Sequence, residues 1–224
     1  MRGARSALAE SPTLGAVLAE TGRLALNVRT SAIAIWTFLV VAYAAIELLL
    51  DWEALGFAYF VLALFSLYLQ LFLTAAALSF ALPDFQFNRS NPTRGRFPSM
   101  SLLSILWLLG VTVGVFLLVI PGLILMVRWN LSTPVLLAED STASQSLGRS
   151  WELTRRHWRV ATAILVIGLA PLAPGSAISF YYPDDGPPTI AMALASNALF
   201  ATASVLSWLL MCALYALITS SKAE

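Results

Sequence analysis

The 224 residues are 59% hydrophobic and only 11% charged, with a formal net charge of +1. Soluble domains carry roughly 25% charged residues, so the composition excludes an ordinary soluble core and predicts a chain embedded in lipid. The near-zero charge excludes bulk attraction to nucleic acid, and one cysteine, Cys212, with one histidine, His157, excludes an intramolecular disulfide and the usual zinc or haem ligand sets.

The chain opens without the apolar core of a cleavable signal and without a lipidation box at either end. Ser11-Pro12 reads as a helix start, serine as N-cap and proline at the first helical position. Leu14, Val17, Leu18, Thr21, Leu24, Ala25 and Val28 then share one face at helical spacing, opposite Glu20, Arg23 and Asn27. This stretch, 11–29, is too polar to span and is expected to lie in the interface.

Residues 31–82 read as the first helix pair. Ser31 to Leu50 has the length that crosses a ~30 Å hydrocarbon core; Asp51-Trp52-Glu53 ends it, and Ala54 to Leu82 returns. The following loop holds Arg89, Arg94 and Arg96. Residues 101–137 read as a hairpin broken at Pro121-Gly122, carrying Gly110-Val-Thr-Val-Gly114 as a close-packing face. Thr142 and Gln145 form a capping-box pattern opening a second interfacial helix over 142–158. Leu147, Trp151, Thr154 and Trp158 lie along one side of it, with Arg149, Arg155, Arg156 and Arg159 clustered around. Residues 160–219 read as the second helix pair, interrupted by a Pro/Gly/Asp-rich loop from Ser176 to Pro188.

Arginine and lysine placement orients the chain. With the Arg128 segment crossing, the basic residues share one side and Asp51, Glu53, Asp184 and Asp185 the other. The expectation is an all-α polytopic bundle of about six transmembrane helices plus two interfacial helices, both termini cytoplasmic. A weak internal repeat accompanies it: Val17–Ile35 set against Ser146–Ile164, 129 positions on, matches at Leu18/Leu147, Leu24/Leu153, Ala32/Ala161, Ala34/Ala163 and Ile35/Ile164.

Chemistry is sparse. Arg128 lies in an apolar stretch, where a charge is kept only with a partner or a task. Helical rise from the Pro-Gly corner puts it ~9 Å below the outer boundary, near Glu47 at ~6 Å. A fixed Glu47–Arg128 ion pair, snorkelling of Arg128 toward headgroups, and an anion or substrate pathway are the three readings of this placement. The cluster of Arg149, Trp151, Arg155, Arg156, Trp158 and Arg159 has the composition of a helix on an anionic leaflet; simple anchoring, headgroup recognition and docking of a partner are all open. No catalytic constellation, cofactor motif or metal set is legible, so the chain is read as non-enzymatic and without a cofactor.

Four stretches fit one pattern: Leu14-Gly-Ala-Val-Leu, Leu118-Val-Ile-Pro-Gly-Leu-Ile-Leu-Met-Val-Arg-Trp, Ser132-Thr-Pro-Val-Leu-Leu-Ala-Glu139, and Ser144-Gln-Ser-Leu-Gly-Arg-Ser-Trp-Glu-Leu-Thr154. In these the chain resembles the bacterial membrane-domain family named after the membrane part of glycerophosphoryl diester phosphodiesterase. The resemblance implies about six helices in a bacterial inner membrane. Some relatives carry a soluble phosphodiesterase barrel; these residues leave no stretch for one, and the enzymatic name does not carry over. The functional expectation is a scaffold or accessory subunit binding a membrane partner, a second copy, anionic lipid, or a combination of these. The alternative is a small transporter or permease subunit with a pathway near Arg128 and Glu47.

Overall fold

The computed structural model describes residues 12–50, 52–82, 85, 96–180 and 188–220. The described residues form helices joined by short turns, with no strand among them: α1 (Leu14–Asn27), α2 (Arg29–Leu49), α3 (Trp52–Ala81), α4 (Phe97–Leu117), α5 (Val119–Arg128), α6 (Ser132–Ala138), α7 (Ala143–Arg156), α8 (Trp158–Leu169), α9 (Leu172–Ser179) and α10 (Ile190–Ser220). Among them, six stretches are long and apolar enough to cross a membrane: Arg29–Leu49, Ala54–Ala81, Phe97–Leu117, Val119–Ala138, Trp158–Ser179 and Ile190–Ser220. The chain is a polytopic all-α membrane bundle.

α10 is its axis. α2 runs antiparallel to it, with the Trp36 indole donating to Thr202 Oγ1 and the Asn197 amide donating to Glu47. α8 and α9 run antiparallel on another side, where Gly168 meets Ser207 and Gly175 meets Leu199. α1 precedes α2 and α7 precedes α8, so both amphipathic helices sit at the same end of the bundle, the C-terminal end of α10. Tyr215 marks that end by donating to Glu139, just before α7. The last turns of α10 are enclosed, with Leu210, Cys212, Ala213, Leu214 and Ile218 at most 1% exposed.

The repeat is built into the elements. Leu14 and Ala143 start 14-residue helices 129 positions apart, and Arg29 and Trp158 start the crossings that follow at the same offset. Equivalent residues do equivalent work. Thr142 caps α7 in a full capping box with Gln145, and Thr13 caps α1 by accepting from Ala16 N. Thr13, not Ser11, is thus the N-cap; Ser11 itself lies outside the described residues. The buried face of α1 is Val17, Thr21, Leu24 and Val28, much as the periodicity predicts, although Leu18 is exposed.

The α4–α5 corner differs from expectation. It falls at Leu118, whose backbone is extended and whose N–H bonds Gly114 O, and not at Pro121-Gly122. Pro121 sits in the first turn of α5, where an N–H has no intrahelical partner anyway. Gly122 is no hinge either: a Cβ on it would meet Val115 of α4 at 2.3 Å, and one on Gly114 would meet the Gly122 Cα at 2.9 Å. The two glycines let the backbones touch, which is the packing role expected of the small-residue face. A second break at Trp129–Leu131 separates α5 from α6.

Candidate functional site

Arg128 and Glu47 do not meet. The Glu47 carboxylate accepts from Tyr59 Oη at 2.9 Å and from Asn197 Nδ2 at 3.0 Å. Arg128 belongs to the opposite end, beside α7: its carbonyl accepts from Ser150 Oγ at 2.7 Å and Thr154 Oγ1 at 3.1 Å, and its guanidinium lies 5.4 Å from the Trp151 ring centre. The reason is the corner. With α5 starting at Val119, Arg128 is nine residues into the helix, ~13 Å from the turn. Its Nη1 is buried, with no hydrogen-bond partner among the described residues.

α7 carries two unlike faces. Ala143, Ser146, Leu147, Ser150, Leu153 and Thr154 are buried. Ser150 Oγ, besides donating to Arg128, accepts from Leu131 N at 3.1 Å, so one hydroxyl ties α7 to both sides of the α5–α6 break and satisfies backbone groups that the break releases. Arg155 and Arg156 at the end of α7, and Trp158 and Arg159 just beyond it at the start of α8, are all exposed, with Trp151 at 39% exposure beside Arg128. Trp151 and Trp158 are therefore not on the packed side with Leu147 and Thr154, as the helical spacing suggests. Small hydroxyl residues fill that side because they allow close approach and bond the carbonyls they meet.

Arg149 is set apart from the other arginines of α7. It bonds Glu139 at 3.2 Å and Glu152 at 3.1 Å. Burial works to lower its pKa, but the hydrogen bonds it donates to both carboxylates, with their charge, carry it above the ordinary arginine value. Its charge is locally neutralised, leaving Arg155, Arg156 and Arg159 as the outward basic set. The same end holds the Arg96–Asp140 pair and exposed Arg23 and Arg29.

Two cavities lie within the bundle. One of about 340 Å³ is lined by Tyr43, Glu47, Tyr59, Ser176, Asn197 and Phe200 among others. The other, about 310 Å³, lies between Gln70, Trp107, Trp129, Asn130, Ser207 and Trp208. Trp129 forms part of its wall by laying its ring where a Gly110 Cβ would stand. Arg128 lines neither. Residue-by-residue reasoning had no route to Asn197 as the partner of Glu47, apart from its being an amide inside an apolar crossing.

No protein-family model, curated protein or solved structure matches the chain.

Proposed function

We propose that this is a non-enzymatic protein of a bacterial inner membrane, a scaffold or accessory subunit whose α7 surface holds anionic lipid headgroups at the cytoplasmic leaflet. The reading also takes the chain as kin to the membrane-domain family that its Pro-Gly, Arg-Trp and Ser-Trp-Glu-Leu-Thr stretches resemble. One observation carries it: Arg155 and Arg156 at the end of α7 and Trp158 and Arg159 at the start of α8 all stand exposed, while the buried side of α7 is bonded to the bundle. Each arginine near an anionic leaflet contributes about 1 kcal/mol, and an indole at the headgroup level adds an interfacial anchor. Arginines gathered at the end that holds both amphipathic helices accord with a cytoplasmic placement of that end.

The permease alternative rests on a pathway joining Glu47 to Arg128. These residues lie toward opposite ends of the bundle, and Arg128 borders neither cavity, so lipid-bound scaffolding is the better supported of the two.

The test is lipid retention. The chain purified in mild detergent from a membrane containing phosphatidylglycerol is expected to carry that lipid, detected by native mass spectrometry. A triple Arg155→Gln, Arg156→Gln, Arg159→Gln variant is expected to lose most of it; equal retention overturns the reading. The same preparation shows whether a companion protein or a second copy is held.

A further inference from the structure

Glu47 is a carboxylate in the apolar part of the chain, four positions before Asp51 in the sequence, and an ionisable group within an apolar crossing marks a site with a task. Among the described residues, the cavity beside it is lined by one carboxylate and by no arginine, lysine or histidine. The side-chain donors of Tyr59, Asn197, Ser176 and Ser179 in its walls are already engaged. Tyr59 donates to Glu47, and the Asn197 amide donates both to Glu47 and to Ala193 O at 2.9 Å. Ser176 donates to Leu172 O and Ser179 to Gly175 O, each in its own helix. A solute entering here meets hydroxyl lone pairs, a carboxylate and ring faces, all electron-rich.

The rings are arranged around the acid. Tyr43 stacks on Tyr59 at 5.7 Å between centroids, and Phe200 meets Tyr43 edge-on at 5.3 Å. Aromatic faces beside a carboxylate select an ammonium group, because the ring quadrupole and the charge attract the same ligand. An anion would be repelled by the carboxylate, a neutral alcohol would gain a hydrogen bond to it but no charge attraction, and a bare metal ion would need about six oxygen ligands closing on it. At about 340 Å³ the space lies at the lower end of small-ligand pockets.

We propose that this cavity binds an alkylammonium group, its charge on Glu47 and its alkyl or methyl substituents against Tyr43, Tyr59 and Phe200. The group is carried either by a free amine or by the headgroup of an amine-bearing lipid. The inference stands apart from the α7 surface, which lies toward the other end of the bundle.

Calorimetric titration of the detergent-purified chain tests it, with butylammonium and tetramethylammonium chloride as probes and butanol as the uncharged control. Saturable binding of a cation, absent for butanol, is expected. Glu47→Gln is expected to weaken it about tenfold or more, and Phe200→Leu, which keeps the carboxylate, by a smaller factor. Equal binding of butanol, or unchanged binding by a folded Glu47→Gln variant, overturns the proposal. If Glu47→Gln fails to fold, Phe200→Leu and the butanol control decide alone: unchanged affinity in the former or binding of the latter overturns it. Native mass spectrometry distinguishes the sources. Phosphatidylethanolamine retained by the wild type and displaced by butylammonium marks a lipid headgroup site, whereas probe binding without such retention marks a site for a free amine.

Discussion

The guanidinium of Arg128 lies over the indole of Trp151, 5.4 Å from the ring centre. A charge that composition alone places deep among apolar residues is thereby held against the helix that carries the outward arginines. The contact contributes about 0.5–2 kcal/mol, set against a buried Nη1 that lacks a hydrogen-bond partner among the described residues. Replacing Arg128 with Met is therefore expected to leave thermal stability in detergent within about 1 kcal/mol, since losing the ring contact offsets removing the unpaired donor. Ser150→Ala removes bonds to both Arg128 O and Leu131 N and is expected to destabilise by about 1–3 kcal/mol. A reversed order of the two variants in a melting experiment contradicts the placement.

Gly114 and Gly122 set how closely α5 approaches α4. A Cβ at Gly114 would lie 2.9 Å from Gly122 Cα, a backbone atom that no rotamer change moves aside. Gly114→Ala is expected to cost about 1–3 kcal/mol by overpacking, whereas Gly148→Ala, at a position with nothing within 4 Å, is expected to be neutral or mildly stabilising. Melting temperatures of the two variants check this.

The α4–α5 corner belongs in hydrocarbon. Between Thr112 and Arg128 there is no polar side chain, and Phe116, Leu117, Leu118, Val119 and Ile120 are 87, 74, 69, 60 and 71% exposed. Leaving such a surface in water forfeits about 25 cal/mol per Å². The corner also leaves few unmet donors, since Leu118 N–H bonds Gly114 O and Pro121 has none. A Leu118→Cys chain in intact membranes is expected to resist a water-soluble maleimide from either side; rapid labelling would put the corner in water.

Glu139 joins Arg149 and Tyr215, tying the start of α7 to the end of α10. The Arg149 pKa lies above its ordinary value, so on the alkaline side the contribution of its pairs is kept up to the ordinary arginine value and fades only as pH rises past it. Stability from this cluster is expected to be flat from about pH 6 to 9. It is expected to fall with added salt, because Arg149 is more than a third exposed. Glu139→Gln should weaken the salt dependence, leaving the part that the Arg149–Glu152 pair contributes, measured as melting temperature in low and high sodium chloride.

How far the sequence carried the structure follows from what each feature depends on. The crossings and the all-α class rest on hydropathy over twenty or so residues, a property local to each stretch, and they stand as expected. The repeat was legible from five weak identities; the matched starts of α1 with α7 and of α2 with α8 give it structural form. It also held an unused clue, since Thr142 as a cap implies Thr13 at the same offset. The corner at Leu118 was hidden because a Pro-Gly pair reads as a turn, while the backbone needed that glycine for contact. The partner of Glu47 was hidden for another reason. Asn197 is 150 positions away, and helical rise gives a depth but no azimuth, so two charges at similar nominal depth looked like a pair.

The account depends most on which side α7 faces. The only cysteine, Cys212, is fully buried, so a single Gln145→Cys substitution on the exposed start of α7 gives a clean label site. In intact bacterial cells a membrane-impermeant maleimide is predicted to leave it unmodified, and in inverted membrane vesicles to modify it fully. Labelling in intact cells would place the arginine face of α7 in the periplasm and contradict the account.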